Sequence, residues 1–207
     1  MITATSSLSQ NVQAGPQHIA VVHGGSPYVS VYPWTGTFGT KVANPATLPA
    51  STGNGVAFSP SGGHIAVAHV GATDPNDSKI RIPPYFSVYP WTGAFGTKVA
   101  DPATQTSGAG NGVAFTRSGG HIAVAHTTTP FISVYPWTGT FGTKVADPAT
   151  LPASTGNGVA FTPSGDRIAV AHTTTPFISV YPWTGPFGTK VANPATLPAS
   201  TGNGVAF

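Results

Sequence analysis

Gly110-Asn-Gly-Val-Ala-Phe-Thr-Arg-Ser-Gly-Gly-His-Ile-Ala-Val-Ala-His126, continued by Thr-Thr-Thr-Pro-Phe-Ile-Ser-Val-Tyr-Pro-Trp137, reads as strands and turns in alternation. Residues 113–115, 122–126 and 131–135 are β-branched, aromatic or small, and Gly or Pro separates them. Residues 143–146, Thr-Lys-Val-Ala, make a fourth candidate after Trp-Thr-Gly-Thr-Phe-Gly. No segment carries a helical period. The opening hexapeptide recurs at Gly53, Gly110, Gly156 and Gly202, separations of 57, 46 and 46 residues. Trp34, Trp91, Trp137 and Trp183 keep the same spacing. Residues 116–161 and 162–207 differ at only five of 46 positions. The chain is therefore a 46-residue unit repeated, with an 11-residue insertion in one copy. Repeats of this length indicate a propeller or a solenoid.

Composition agrees. Of 207 residues, eight are basic and five acidic, all five acids being Asp, and 6% charge is far below the usual ~25%. Gly and Pro, 26 and 21 residues, punctuate the chain too densely for helices. A net charge of +3 is too small for a nucleic-acid footprint. Cys is absent, so disulfides and thiolate chemistry are excluded. No apolar run is long enough to span a bilayer as a helix.

With strands a to d in that order, each unit predicts an antiparallel four-stranded blade. In strand b, Ile122, Val124 and His126 share one face, and Ala123 and Ala125 the other. Small residues on that face admit a neighbouring blade. Phe131, Ser133, Tyr135 and Trp137 form an aromatic face of strand c, expected to pack between blades. Pro136, lacking an N–H, marks a bulge or a strand exit.

Residues 118–125, Ser-Gly-Gly-His-Ile-Ala-Val-Ala, and 132–137, Ile-Ser-Val-Tyr-Pro-Trp, resemble the a–b hairpin and tryptophan-ending third strand of the WD-type β-propeller family. The resemblance covers residues 16–207. It departs from the family pattern where Thr138, not Asp, follows Trp137, so the family's buried Asp–His–Ser/Thr–Trp network does not transfer intact. The repeated hexapeptide and Val-Tyr-Pro-Trp also resemble uncharacterised repeat proteins of environmental tailed phages and bacteria. That second resemblance alone implies a virion or extracellular setting, because residues 1–15 show neither the basic start nor the apolar core of a signal peptide.

The expected architecture is an all-β propeller of four four-stranded blades in residues 16–207. Strand a at residues 205–207 closes the ring against strand b at residues 19–22, removing an open edge. Residues 1–15 form an N-terminal arm or a degenerate strand. The strand inventory leaves a second arrangement open, in which strands exchanged between chains build a larger ring.

The repeated polar positions supply the candidate site. Asn54, Asn111, Asn157 and Asn203 precede the a strands, and His23, His69, His126 and His172 end the b strands, all toward one end of the ring. Eight such groups suit an anion, a sugar or ordered water. The stronger expectation is structural: Asn caps a tight Gly-rich turn and His satisfies neighbouring backbone groups. The insertion, residues 71–83, brings Asp74, Asp77, Lys79 and Arg81 to the same end, where a long loop on a rigid scaffold carries recognition. Lys41, Lys98, Lys144 and Lys190 decorate the outer rim. His18, His64 and His121, with Arg167 in the fourth place, begin the b strands at the opposite end.

Without Glu, a Gly-x-Ser-x-Gly elbow or a phosphate loop, no catalytic constellation is visible. The sequence reading is a non-enzymatic structural or protein-interaction propeller, a component of a phage particle or other extracellular assembly. The alternative is a lectin-like module for glycans or small ligands. Expected partners are a protein assembly or further copies of the chain, with a glycan as the alternative. No nucleic acid, membrane insertion, cofactor or metal is called for.

Overall fold

The computed structural model describes residues 17–207, so the N-terminal arm or degenerate strand expected in residues 1–15 lies outside the described residues. Thirteen strands and no helix occur among them. The first sheet pairs β1 (Gln17–Val22) with β2 (Val29–Trp34). The second is built on β3 (Gly53–Phe58) and β4 (His64–His69). After β4 the insertion folds into a ribbon, β5 (Ala72–Thr73) with β6 (Arg81–Ile82), before β7 (Phe86–Pro90) returns to the sheet. The third holds β8 (Gly110–Phe115), β9 (His121–His126) and β10 (Ile132–Pro136). The fourth holds β11 (Gly156–Phe161), β12 (Arg167–His172) and β13 (Ile178–Pro182). Every pairing is antiparallel, and in each three-stranded sheet the b strand is central.

Strands a, b and c form regular ladders; the expected fourth strand does not. After each tryptophan the chain makes one bridge, Trp137 to Phe141 in the third unit. It then runs along strand c through two backbone bonds, Gly142 N to Pro136 O at 2.9 Å and Val145 N to Val134 O at 2.8 Å. Pro136 has no N–H to return, so a full ladder is denied there. The same proline ends β10 and is a strand exit rather than a bulge. The bulge lies instead in strand a, between the two glycines of Gly-Asn-Gly.

Sheets pack face to face in chain order. Between the third and fourth, Ala123 and Ala125 of β9 meet Ile168 and Val170 of β12, with Ile132 and Val134 filling beside them. Between the second and third, Ala66, Ala68, Phe86 and Val88 meet Ile122, Val124, Tyr135 and Trp137. The small-residue face therefore admits the large-residue face of the next unit, as the alternation in strand b implies. Trp91, Trp137 and Trp183 are buried in these seams, each edge-on to a Phe of its own unit's a strand or turn. Trp34, in the first sheet, is only half-buried.

Among the described residues the ring does not close: extensive contacts join first to second, second to third and third to fourth sheets, and none comparable joins fourth to first. Residues 202–207 carry no ladder to β1. They stack on the fourth sheet instead: Gly202 N bonds His172 O at 3.0 Å, as Gly53 N bonds His23 O at 3.1 Å. The C-terminal hexapeptide thus stands where the innermost strand of a following sheet belongs. Its place is set by the sheet before it, which is why it does not travel back to residues 19–22.

Replacing Trp137 with Ala should lower stability by about 3–5 kcal/mol in urea unfolding. Trp34→Ala should cost less than half as much, because one side of that ring has no neighbouring sheet. Equal losses at the two positions would contradict this packing.

Candidate functional site

Gly53 opposes His69 in the ladder, Gly110 opposes His126 and Gly156 opposes His172. The asparagines and the strand-ending histidines therefore share one end of the sheets, as the sequence implies. Their side chains do different things there.

Both glycines of Gly-Asn-Gly are required by close approach. A methyl group at Gly53, Gly110 or Gly202 would stand 2.5 Å from the carbonyl oxygen of Tyr28, Tyr85 or Phe177 of the preceding unit. At the second position it would meet the next inner strand, 3.0 Å from Gly112 Cα for Gly55 and 2.9 Å from Gly204 Cα for Gly158. The asparagine between them reaches sideways. Asn54 Nδ2 donates to Gly110 O, Asn111 Nδ2 to Gly156 O and Asn157 Nδ2 to Gly202 O, each at 2.9 Å. The expected turn cap is thus replaced by a tether between consecutive units. Asn54, Asn111 and Asn157 form one row along the inner edge, and the exposed Asn203 extends it. Asn54 Nδ2 also donates to Asn111 Oδ1 at 3.4 Å, whereas Asn111 and Asn157 each donate to the one carbonyl.

The histidines turn away from this row. His69, His126 and His172 are wholly buried, and the Nε2 of each shares a hydrogen bond of 3.0 to 3.1 Å with the hydroxyl of Ser87, Ser133 or Ser179. His23 makes the same bond to Ser30 at 3.0 Å, less buried. Sequence reasoning passed over these serines, although the signal is a Ser seven residues after the His in three units and eighteen across the insertion. Burial pushes His69 and His126 down to about 4, and lowers His172 as well. These rings are neutral at pH 7 and shut off from solvent, so the His–Ser pairs hold strand b to strand c and activate no nucleophile.

The ribbon satisfies most of its own polar groups. Asp74 accepts from the Asn76 N–H at 2.7 Å and Asp77 from the Lys79 N–H at 2.9 Å, each closing its own turn. Arg81 donates to Thr73 across the ribbon, and its carbonyl accepts from Tyr85 at 2.7 Å. Ser51 Oγ donates to Gly71 O at 2.7 Å, fixing the ribbon base beside the inner-strand end. On the outer rim Lys98 and Lys144 pair with Asp101 and Asp147, and Lys41 bonds Asn44. At the opposite end, His18, His64 and His121 sit edge-on to Trp91, Trp137 and Trp183 of the next unit, at 5.1 to 5.2 Å. Arg167 pairs with Asp166 at 3.0 Å. Among the described residues, no three His, Asp or Glu side chains stand where they would share a metal ion.

No family model and no curated protein matches the chain. Solved structures do. A periplasmic gluconolactonase of Pseudomonas aeruginosa superposes at a TM-score of 0.59 with 16% identity, over 84% of this chain and 52% of that one. A protein of unassigned function from Desulfotomaculum acetoxidans gives 0.55 and 12% over the same shares. A candidate 6-phosphogluconolactonase of Bacteroides fragilis gives 0.51 and 13%, over 90% of this chain and 69% of that one. The chain spans about half the length of the first two. At such identities the likeness is one of fold, a β-propeller type.

These comparisons correct the sequence reading at several points. The resemblance to WD-type propellers and to phage repeat proteins is not supported by any family match, and the similar solved folds include lactonases. Tryptophan-ending strands and Gly-rich turns follow from blade packing, which unrelated propellers share, so they misled as family marks. The expectation of a non-enzymatic structural, virion or lectin-like role is corrected by the same finding, since the structures of similar fold include two that carry lactonase names. The missing Glu and nucleophile elbow exclude particular catalytic devices, not catalysis.

An imidazole that titrates near 6.5 when unfolded and near 4 when folded binds fewer protons in the native state. Stability should be complete above about pH 6.5 and fall as pH drops toward 4, on the order of 3 kcal/mol per fully shifted ring. Thermal midpoints measured across this range check it, and a flat profile would contradict it. Asn111→Ala leaves the Gly156 carbonyl without its donor and should lower stability by about 1 kcal/mol in urea unfolding.

Proposed function

We propose that this chain is an arc of a propeller hydrolase that opens a sugar lactone. The observation that carries the reading is the fold likeness, over 84% of the chain, to a gluconolactonase. The likeness to a candidate 6-phosphogluconolactonase supports it from a second organism. In this reading the four sheets are four blades, and the segment after each tryptophan is the fourth, outermost edge of its blade.

Opening a lactone requires water to attack the ester carbonyl while donors hold the oxygen that gains charge. The inner-edge row of Asn54, Asn111, Asn157 and Asn203 suits that task. A carboxamide whose second N–H is not used in tethering can point at the lactone carbonyl, and its Oδ1 accepts from sugar hydroxyls. The row is fixed before substrate arrives, because each tether sits between two packed sheets, and such preorganised dipoles stabilise developing charge without reorganising. The ribbon stands over this end with Asp74, Asp77, Lys79 and Arg81, and the two carboxylates retain an oxygen each beyond their turns. In this role they orient a polyol at the rim. The buried histidines take no part.

Acid release from gluconolactone, followed at constant pH, tests the reading. The purified chain should exceed the buffer rate, and Asn111→Leu should reduce the excess at least tenfold while far-ultraviolet circular dichroism stays unchanged. Release at the buffer rate, with 6-phosphogluconolactone giving the same result, would overturn it.

A further inference from the structure

One aromatic ring per unit stays outside the seams. It stands in the turn from strand b to strand c, at Tyr28, Tyr85, Phe131 and Phe177. Among the described residues, Phe131 is half-buried and belongs to none of the core clusters, whereas Phe115, Tyr135 and Phe141, the other Phe and Tyr residues of its unit, all pack in one. Phe177 stands apart in the same way from Phe161, Tyr181 and Phe187. Both residues hold left-handed backbone, with φ of 69° and 68°, as does Tyr28 at 70°. A bulky side chain is disfavoured in that region and glycine is not, so the ring is kept against a local preference. The turn itself does not need the ring. Phe131 N donates to Thr128 O at 2.8 Å and Phe131 O accepts from His126 N at 3.0 Å, backbone bonds that glycine would also make.

The second unit shows what such a ring accommodates. There the ribbon lies on it: Tyr85 is buried, its hydroxyl donates to Arg81 O at 2.7 Å, and a methyl group at Gly71 would stand 2.6 Å from its ring carbons. Tyr85 is also the one of the four whose φ is not positive. The third and fourth units have no insertion, and their rings are left half-open beside a carboxamide. The Phe131 carbonyl lies against Gly156, where no Cβ fits, and Asn111 Nδ2 donates to the carbonyl of that same glycine at 2.9 Å. Phe177 and Asn157 meet at Gly202 in the same way. The Phe131 turn is pinned in place. Thr127 N bonds Ala109 O at 3.0 Å, Thr155 Oγ1 donates to Thr127 O at 3.1 Å, and Ser107 Oγ donates to Thr129 O at 2.7 Å.

We propose that Phe131 with Asn111, and Phe177 with Asn157, are two equivalent subsites for a six-membered sugar ring, whose face stacks on the phenyl while the carboxamide bonds an oxygen at its edge. The proposal deepens the lactone reading and takes the sugar from it. A sugar ring carries C–H groups on its faces and oxygens around its edge, so it is matched by one flat apolar surface with one donor–acceptor group beside it. The negative face of a phenyl ring attracts the C–H groups. The polar group then sets the orientation, as in other mostly apolar sites with few placed polar groups. A stiff aromatic side chain on a pinned turn loses little freedom on binding. In the second unit the ribbon already fills the stacking position, so Asn54 has no open ring beside it. Its carboxamide turns instead to Asn111 Oδ1. The insertion thus breaks the equivalence of the units and confines the sugar to the third and fourth.

Methyl glucopyranoside, a sugar ring with no lactone to open, is the probe. Saturation-transfer NMR on the 207-residue chain, with irradiation of the aromatic protons, should give signals from the C–H protons of the sugar ring. The double variant Phe131→Gly, Phe177→Gly should reduce them about fivefold. Its circular dichroism spectrum should be kept and its urea midpoint should stay level or rise, because glycine takes the left-handed backbone freely and no core contact is lost. Phe131→Tyr, Phe177→Tyr should retain the signals, as a phenol offers the same face. With gluconolactone, the double glycine variant should raise KM about fivefold, a larger change than in kcat. Absence of ring-proton signals from the unaltered chain would overturn the subsites. So would a double glycine variant that binds equally well, or one whose urea midpoint falls, since the rings would then be packing groups. Lactone opening with KM unchanged in that variant would remove the subsites and leave the hydrolase reading. Phenyl-dependent sugar binding with acid release at the buffer rate would remove the hydrolase reading and leave the subsites.

Discussion

The close approach of one inner strand to the next is the constraint on which the rest of the structure depends. Backbone meets backbone at Gly55, Gly112 and Gly158, where a single methyl group would collide with the following strand. Because the strands stand so near, the carboxamide of the intervening asparagine spans the gap and bonds the next unit's first carbonyl. That spacing brings the alanine face of each b strand against the Ile and Val face of the next. The tryptophans then close the outer part of the seam. Glycine is therefore kept in the inner strand despite its entropic cost, because no other residue permits the contact.

Polar groups follow from the same geometry. A seam dry enough to bury Tyr89, Tyr135 and Tyr181 completely also buries the histidines that end the b strands. Each histidine finds a serine on the adjacent strand, which settles one ring nitrogen, and burial keeps the ring neutral. The asparagines, at the solvent end of the inner strands, keep hydrogen-bonding capacity. Two sets of side chains at one end of the sheets thus divide into a structural set inside the blade and an accessible set along its inner edge.

Much of this was legible in the residues. The 46-residue period, the strand boundaries near Val113, Ile122 and Ile132, the small and large faces of strand b and the packing of Trp91, Trp137 and Trp183 all follow from spacing and alternation, which are local properties. The placement of Asn and His at a common end also followed, since antiparallel pairing sets the start of one strand beside the end of the next. The roles did not follow. Whether Asn111 caps its own turn or reaches Gly156, and whether His126 faces a channel or Ser133, depends on which neighbour lies within 3 Å.

The sequence by itself determined an all-β repeat with four near-equivalent units, because strand propensity, turn glycines and side-chain alternation act over a few residues. Only the tertiary structure decided how far each unit turns from the last. That angle arises from the contacts of whole sheets, and no residue carries it alone. The C-terminal hexapeptide shows the consequence: its sequence is that of every other inner strand, and its position is set by the fourth sheet on which it stacks. The same limit governed the functional reading. Composition registered the missing Glu and nucleophile elbow, but the likeness to lactonases resides in the path of the backbone, which sequences sharing 16% identity can follow with different side chains.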